Sequence, residues 1–191
     1  MNHVVPPGAR RRMTGEEFLT WEAKQDRKWE FDGFEPVAMN GGTVAHSAIT
    51  GNLLTALNIR LRGKPCRPHG PDLKVRTGRS YRYPDALVLC TALPLDADAA
   101  VDPVVIFEVL SFSTSADDRT TKLAEYQSLA SVMHYVLLEQ DRAFVTVLSR
   151  LDGPWRYTLL GPDGVLALPE IGVELPVAEL YEGLAFPQPE R

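Results

Sequence analysis

The order of apolar patterns predicts a mixed α/β (α+β) domain, with one central sheet and helices packed against it. Three observations carry this. Apolar residues recur every four positions through 45–62, the mark of an amphipathic helix. Val104–Leu110 is a nearly unbroken apolar run, as in a strand buried on both faces. Helical and strand patterns then interleave along the chain, which favours helices covering a sheet.

Taken in order, residues 1–12 read as a loose basic arm, with Pro6-Pro7-Gly8 breaking structure and Arg10-Arg11-Arg12 charged. Residues 13–191 read as one domain. Thr14-Gly-Glu-Glu17 matches a capping box, so a helix is expected from Thr14 to near Asp26. Trp29–Phe31 and Glu35–Met39 read as a hairpin turning at Gly33, with Glu30 and Asp32 on the face opposite Trp29 and Phe31. Ile49, Leu53, Leu57 and Leu61 form the stripe of the second helix, which Gly63 and Pro65 end. Leu73–Val75, Tyr83–Cys90 and Val104–Leu110 read as strands, and 91–103 as a surface loop. Ser115-x-x-Asp118 resembles a second capping box, opening a helix to about Ala130. Strands are expected at Tyr135–Glu139, Ala143–Leu148, Trp155–Leu160 and Val165–Leu168, and Leu175–Tyr181 is expected to pack on the chain's own core or across a two-fold axis.

Hydrophobic residues at 45% and charged ones at 24% rule out wholesale disorder. No run is long and apolar enough to predict a membrane span, and none resembles an apolar leader, so the cytoplasm is expected. Cys66 and Cys90 read as free thiols suited to a reducing compartment. Cys66-x-x-His69 lacks a second pair and does not read as zinc, and His46 reads as a core-edge histidine. Net charge is −5, which argues against a protein that coats nucleic acid. The segment Arg60–Arg82 nevertheless carries eight cations against one acid, a local +7. Lys74, Arg76, Arg79 and Arg82 within it are candidate phosphate contacts, against the alternative of a solvated basic loop.

Three polar residues break their local patterns. Asp85 follows Pro84 and opens the run Ala-Leu-Val-Leu. Glu108 is the lone charge in Val-Val-Ile-Phe-Glu-Val-Leu. Lys122 shares a helix face with Tyr126 and Leu129. The ordinary readings are a turn, a half-exposed strand position or ion pair, and a snorkelling lysine paired with Asp118. Together they are two acids and an ammonium, the groups that hydrolyse a phosphodiester. Carboxylates hold a hard cation such as Mg²⁺, with Mn²⁺ an acceptable substitute. The cation activates water and polarises the phosphoryl oxygen, and the ammonium meets developing charge. Glu30 is a candidate supporting acid, against the alternative of a solvated strand residue.

The run YRYPDALVLC, then VVIFEVLSFSTSADDRTTKLAEYQ, then MHYVLLE resembles the Uma-type restriction endonucleases, within the PD-(D/E)XK nuclease superfamily. WEFDG near residue 30, PDLKV at 71–75 and LPVAEL at 175–180 are similar to further family elements. The resemblance implies a restriction-endonuclease-like central mixed sheet flanked by helices, with an N-terminal helix and hairpin. It implies an Mg²⁺-dependent DNA endonuclease leaving a 5′-phosphate, with Asp85 and Glu108 as metal ligands and a homodimer where both strands are cut. The superfamily lysine would fall two residues after the second acid, where this chain has Leu110; Lys122 matches the position from which this family supplies it. Asp72 recurs in the DLKV element without an assigned role. A non-catalytic nucleic-acid-binding or structural module that keeps the fold is the alternative.

Overall fold

The computed structural model describes residues 12–39, 41–110, 116–150 and 154–186. The arm's first eleven residues and the capping box proposed at Ser115 lie outside them, as does the side chain of Asp118. Helix α1 spans Gly15–Glu22, and its capping box forms: Thr14 N–H donates to Glu17 Oε2 at 2.7 Å and Glu17 N–H to Thr14 Oγ1 at 3.3 Å. It ends four residues before Asp26. Its Phe18 is fully buried and stacks on Phe31, with ring centroids 4.9 Å apart. Strands β1 (Trp29–Phe31) and β2 (Pro36–Ala38) form the expected hairpin, with Gly33 at φ 92° in its turn.

Helix α2 runs Val44–Leu61 from an N-cap at Thr43. Strands β3 (Arg67–His69), β4 (Lys74–Thr77), β5 (Ser80–Arg82), β6 (Ala86–Leu89), β7 (Ala99–Ala100) and β8 (Val105–Leu110) precede α3 (Ala116–Ser128). After α3 come β9 (His134–Glu139), β10 (Val145–Arg150), β11 (Trp155–Leu160), β12 (Val165–Leu168), β13 (Val173–Pro176) and the short α4 (Val177–Leu180). The strands divide between two large sheets and the two-stranded β12–β13 hairpin rather than forming one sheet. A six-stranded sheet has the order β11-β10-β9-β8-β6-β3, and a five-stranded one β2-β1-β5-β4-β7. Within the larger sheet β8 and β9 run parallel and the other pairs antiparallel. Four strands were not foreseen: β3, a short edge strand containing Pro68; β5, which precedes the expected Tyr83–Cys90 strand; β7, which lies in the expected surface loop; and β13, which pairs with β12.

The α2 stripe of Ile49, Leu53, Leu57 and Leu61 is at most 1% exposed. It packs against Val88, Phe107 and Val136 on one face of the larger sheet. Burial of each leucine contributes about 2 kcal/mol. The β12–β13 hairpin and α4 close the same core through Leu166, Leu175, Val177 and Leu180, so the C-terminal segment packs on its own chain. The opposite face, with Leu87, Ile106 and Tyr135, is covered by Tyr126 of α3. Alternation along β8 therefore turns Glu108, like Ile106, toward α3.

Cys66 and Cys90 are not free thiols. The β3–β6 register pairs Arg67 with Leu89, which sets Cys66 opposite Cys90, and the two are joined as a disulfide. That pairing depends on β3, a strand with no periodicity of its own to announce it.

Candidate active site

The register of β6 and β8 builds the centre of the site. Ala86 pairs with Phe107 and Leu87 with Ile106, so one step beyond the ladder Asp85 stands opposite Glu108. The Val109 N–H donates to Asp85 Oδ2 at 2.6 Å, tying the acid before β6 to the β8 backbone. His46 Nε2, from the first turn of α2, lies 3.1 Å from Asp85 Oδ1. Proximity to Asp85, first through this hydrogen bond, raises the His46 pKa against the opposing effect of burial.

Glu108 receives two groups from α3, one turn apart. Tyr126 Oη donates to its Oε1 at 3.0 Å, and Lys122 Nζ lies 3.6 Å from the same oxygen. Burial is the main reason that Glu108 is pushed up from 4.5 to about 7; the charges of Asp85 and Glu30 add to the rise, while Lys122 and Tyr126 oppose it. Glu108 in turn raises the buried Tyr126 phenol, after the larger effect of burial.

Glu30 joins the same cluster from β1. It is 5% exposed, not a solvated strand residue. Its Oε1 accepts from Lys122 Nζ at 3.0 Å and from the Tyr83 N–H at 3.1 Å, and its Oε2 accepts from Arg82 at 3.2 Å. Asp85, Glu108, Lys122 and Glu30 thus come together from four different elements of the fold or their margins.

The phosphate-contact expectation is corrected for two of its four residues. Arg82 is 2% exposed, fixed between Glu30 and a bidentate contact with Glu125. Lys74 is 8% exposed and donates to Glu22 Oε2 at 2.8 Å, where Tyr83 Oη also donates to Oε1 at 2.8 Å. Buried cations need buried anions, and these have them, so neither faces an incoming phosphate. Arg76 and Arg79 are exposed on the β4–β5 hairpin, which turns at Gly78 with φ 64°. Asp72 is 91% exposed and pairs with Lys28 at the surface.

The site residues that sequence reasoning missed are His46, Tyr126 and Glu125, and Arg82 was named for a different role. Glu125 and Tyr126 lie three and four residues after Lys122, so helical spacing could have grouped them. His46 had a weaker signal: a polar ring just ahead of the α2 apolar stripe.

The donor set can be tested against a cation. Asp85 and Glu108 supply oxygen donors on adjacent strands. Among the described residues no group of three or more His, Cys, Asp or Glu is arranged to hold a metal ion. Two carboxylates fit Mg²⁺, which keeps several waters and takes one or two protein acids. They do not fit a closed structural zinc site.

Comparison with known proteins agrees with this fold. The Uma2 family profile, described as "Putative restriction endonuclease", matches residues 16–178. An uncharacterised protein of Synechocystis sp. PCC 6803, slr1290, is 31% identical over 92% of this chain and 94% of its own length. A second from the same organism, sll1609, is 28% identical over 67% of this chain and 75% of its own. A crystal structure from Anabaena variabilis, described as "a putative nuclease belonging to DUF820", superposes with a TM-score of 0.74 at 19% identity. It covers 88% of this chain and 97% of that one. With the family profile matching residues 16–178, from within α1 to the start of α4, this chain belongs to the Uma2 family of restriction-endonuclease-like proteins.

Proposed function

We propose that the chain is a metal-dependent DNA endonuclease, with Asp85 and Glu108 holding one Mg²⁺ (or Mn²⁺) ion. The supporting observation is the meeting of an acid before β6, an acid within β8 and a lysine on α3 in one cluster. When bound, the cation would polarise the phosphoryl oxygen and make a water nucleophilic near neutral pH. Lys122 orients that water and meets the charge that develops on the phosphate. Glu30 aims Lys122, Arg82 fixes Glu30, and Tyr126 restrains Glu108 beside the ammonium. Arg76 and Arg79 make the phosphate contacts, and two copies would be needed to cut both strands. The same reading assigns the protein to the cytoplasm, where the Cys66–Cys90 bond would have to persist against cellular thiols.

The experiment is to purify the wild type with Asp85→Ala, Glu108→Ala and Lys122→Ala, and incubate each with supercoiled plasmid and Mg²⁺ or Mn²⁺. The wild type should nick or linearise the plasmid, chelation should stop it, and Lys122→Ala should slow it about 10²–10³-fold. Cleavage that persists in all three variants would sink the assignment. One observation favours a second reading, a non-catalytic binding or structural module: Lys122 bridges Glu30 and Glu108, and such an ion pair is by itself a reason for the three charges to lie together. That reading expects no metal binding and no cleavage by the wild type.

A further inference from the structure

We propose that His46 is a positioning residue for the divalent cation, acting through Asp85. The inference rests on the two-carboxylate metal reading and adds a residue to it.

The His46 backbone N–H donates to Thr43 Oγ1 at 3.1 Å, in the N-cap of α2. That hydroxyl bonds the buried Gln140 at 2.7 Å, so the first turn is tied to the loop after β9. Gly42 leaves room for the ring: a Cβ there would stand 2.9 Å from Nδ1 and 3.1 Å from Cγ, closer than side chains tolerate without moving. The His46 Nε2 meets Asp85 Oδ1 at 3.1 Å, while the Val109 N–H holds Oδ2 at 2.6 Å.

Asp85 is therefore held at both oxygens, by a helix terminus on one side and by β8 on the other. A carboxylate oxygen that accepts one hydrogen bond keeps capacity for another partner. The two contacts fix the acid's rotamer opposite Glu108 without exhausting it as a ligand. Groups that hold a metal ligand in this way are worth 10- to 100-fold in metal affinity. Here the Nε2–H tautomer donates, and no bond is made or broken.

The test compares full-length wild type, His46→Ala, His46→Gln and Gly42→Ala by electron paramagnetic resonance titration with Mn²⁺ at one fixed pH. Metal-free thermal unfolding is measured in parallel. His46→Ala should bind Mn²⁺ roughly 10–100-fold more weakly while its metal-free unfolding temperature stays close to wild type. Gly42→Ala, which crowds the ring, should shift affinity the same way. His46→Gln, whose amide N–H reaches a similar point, should restore most of the affinity, which a merely structural histidine would not predict. Wild-type affinity in His46→Ala, or no rescue by glutamine, overturns the positioning role. If the wild type binds Mn²⁺, Asp85→Ala abolishes that binding and His46→Ala leaves it unchanged, this inference falls and the metal reading stands. If the wild type binds no Mn²⁺, the metal reading and this inference fall together.

Discussion

Arg82 is gripped by Glu125 through both carboxylate oxygens, Nε to Oε2 at 2.7 Å and Nη2 to Oε1 at 3.0 Å, beneath the α3 helix. Only 2% of the arginine side chain is exposed. Its other partner, Glu30, also receives Lys122. A planar guanidinium suits this double duty, because its donors fan out in fixed directions.

Removing Glu125 would leave a buried guanidinium with one counter-charge. Glu125→Ala should therefore lose about 3–5 kcal/mol of stability, read from urea unfolding. Replacing the pair together, as Arg82→Met with Glu125→Leu, should recover much of that loss. A Glu125→Ala change within about 0.5 kcal/mol of wild type would show that the contact contributes little.

Glu108 gives the metal-free protein a pH dependence of known sign. Its folded-state pKa is raised from 4.5 to about 7, chiefly by burial. Between those values the folded state binds more protons at this position than the unfolded chain does. Its contribution to stability should fall as pH rises from about 4.5 to about 7, and level off above that. Calorimetry of the metal-free protein across this window, alongside Glu108→Gln, checks it. The glutamine variant should lack this component of the slope, and an unchanged profile would contradict the assignment.

Arg76 and Arg79 are the two cations of the original four that remain exposed. If they meet phosphates, Arg76→Ala and Arg79→Ala should each reduce the slope of log K against log salt by about 1. The effect should be similar across DNA sequences, with little change in unfolding temperature. Lys74→Ala should behave differently and destabilise the fold, since it would leave the buried Glu22 without its cation and with Tyr83 Oη as its remaining side-chain donor. Fluorescence anisotropy at several salt concentrations separates the two behaviours.

The Cys66–Cys90 bond closes a sequence separation of 24 residues and ties edge strand β3 to β6. Cys66→Ala with Cys90→Ala should lower stability by about 2–4 kcal/mol. Dithiothreitol should move the wild type toward the double variant and leave the variant unaltered. No response in either case would mean that the bond does not form in solution.

Much of the site was legible because it violated local pattern. A lone charge within Val-Val-Ile-Phe-Glu-Val-Leu has few affordable structural explanations, and Lys122 on an apolar helix face has few more. The α2 helix was equally plain, since a stripe every four residues admits little else. What could not be read depends on register and long-range pairing. Lys74 and Arg82 looked like phosphate contacts because Glu22 and Glu125 lie 52 and 43 residues away in sequence. Strand β3 announced itself neither by periodicity nor by composition, and the disulfide was hidden with it. The division into separate sheets was likewise invisible, because strand patterns report burial and not neighbours. His46 was passed over because one histidine beside an apolar stripe carries no information about the acid it meets.

The pairing of Ala86 with Phe107 has a further consequence for how this chain can vary. The two acids face one another by phase, not by the length of chain between them. Residues 91–98 leave the sheet and carry the fully exposed Leu95, a place where added residues are absorbed at the surface. A single residue added within Ala86–Leu89 would instead reverse the facing of everything on one side of it. Asp85 would then turn from the α3 side toward α2, away from Glu108, while the apolar composition of the strand stayed almost the same. The cluster is tolerant of loop growth and intolerant of frame, so relatives that keep it are free to lengthen the path between its acids but not to slip the strands that carry them.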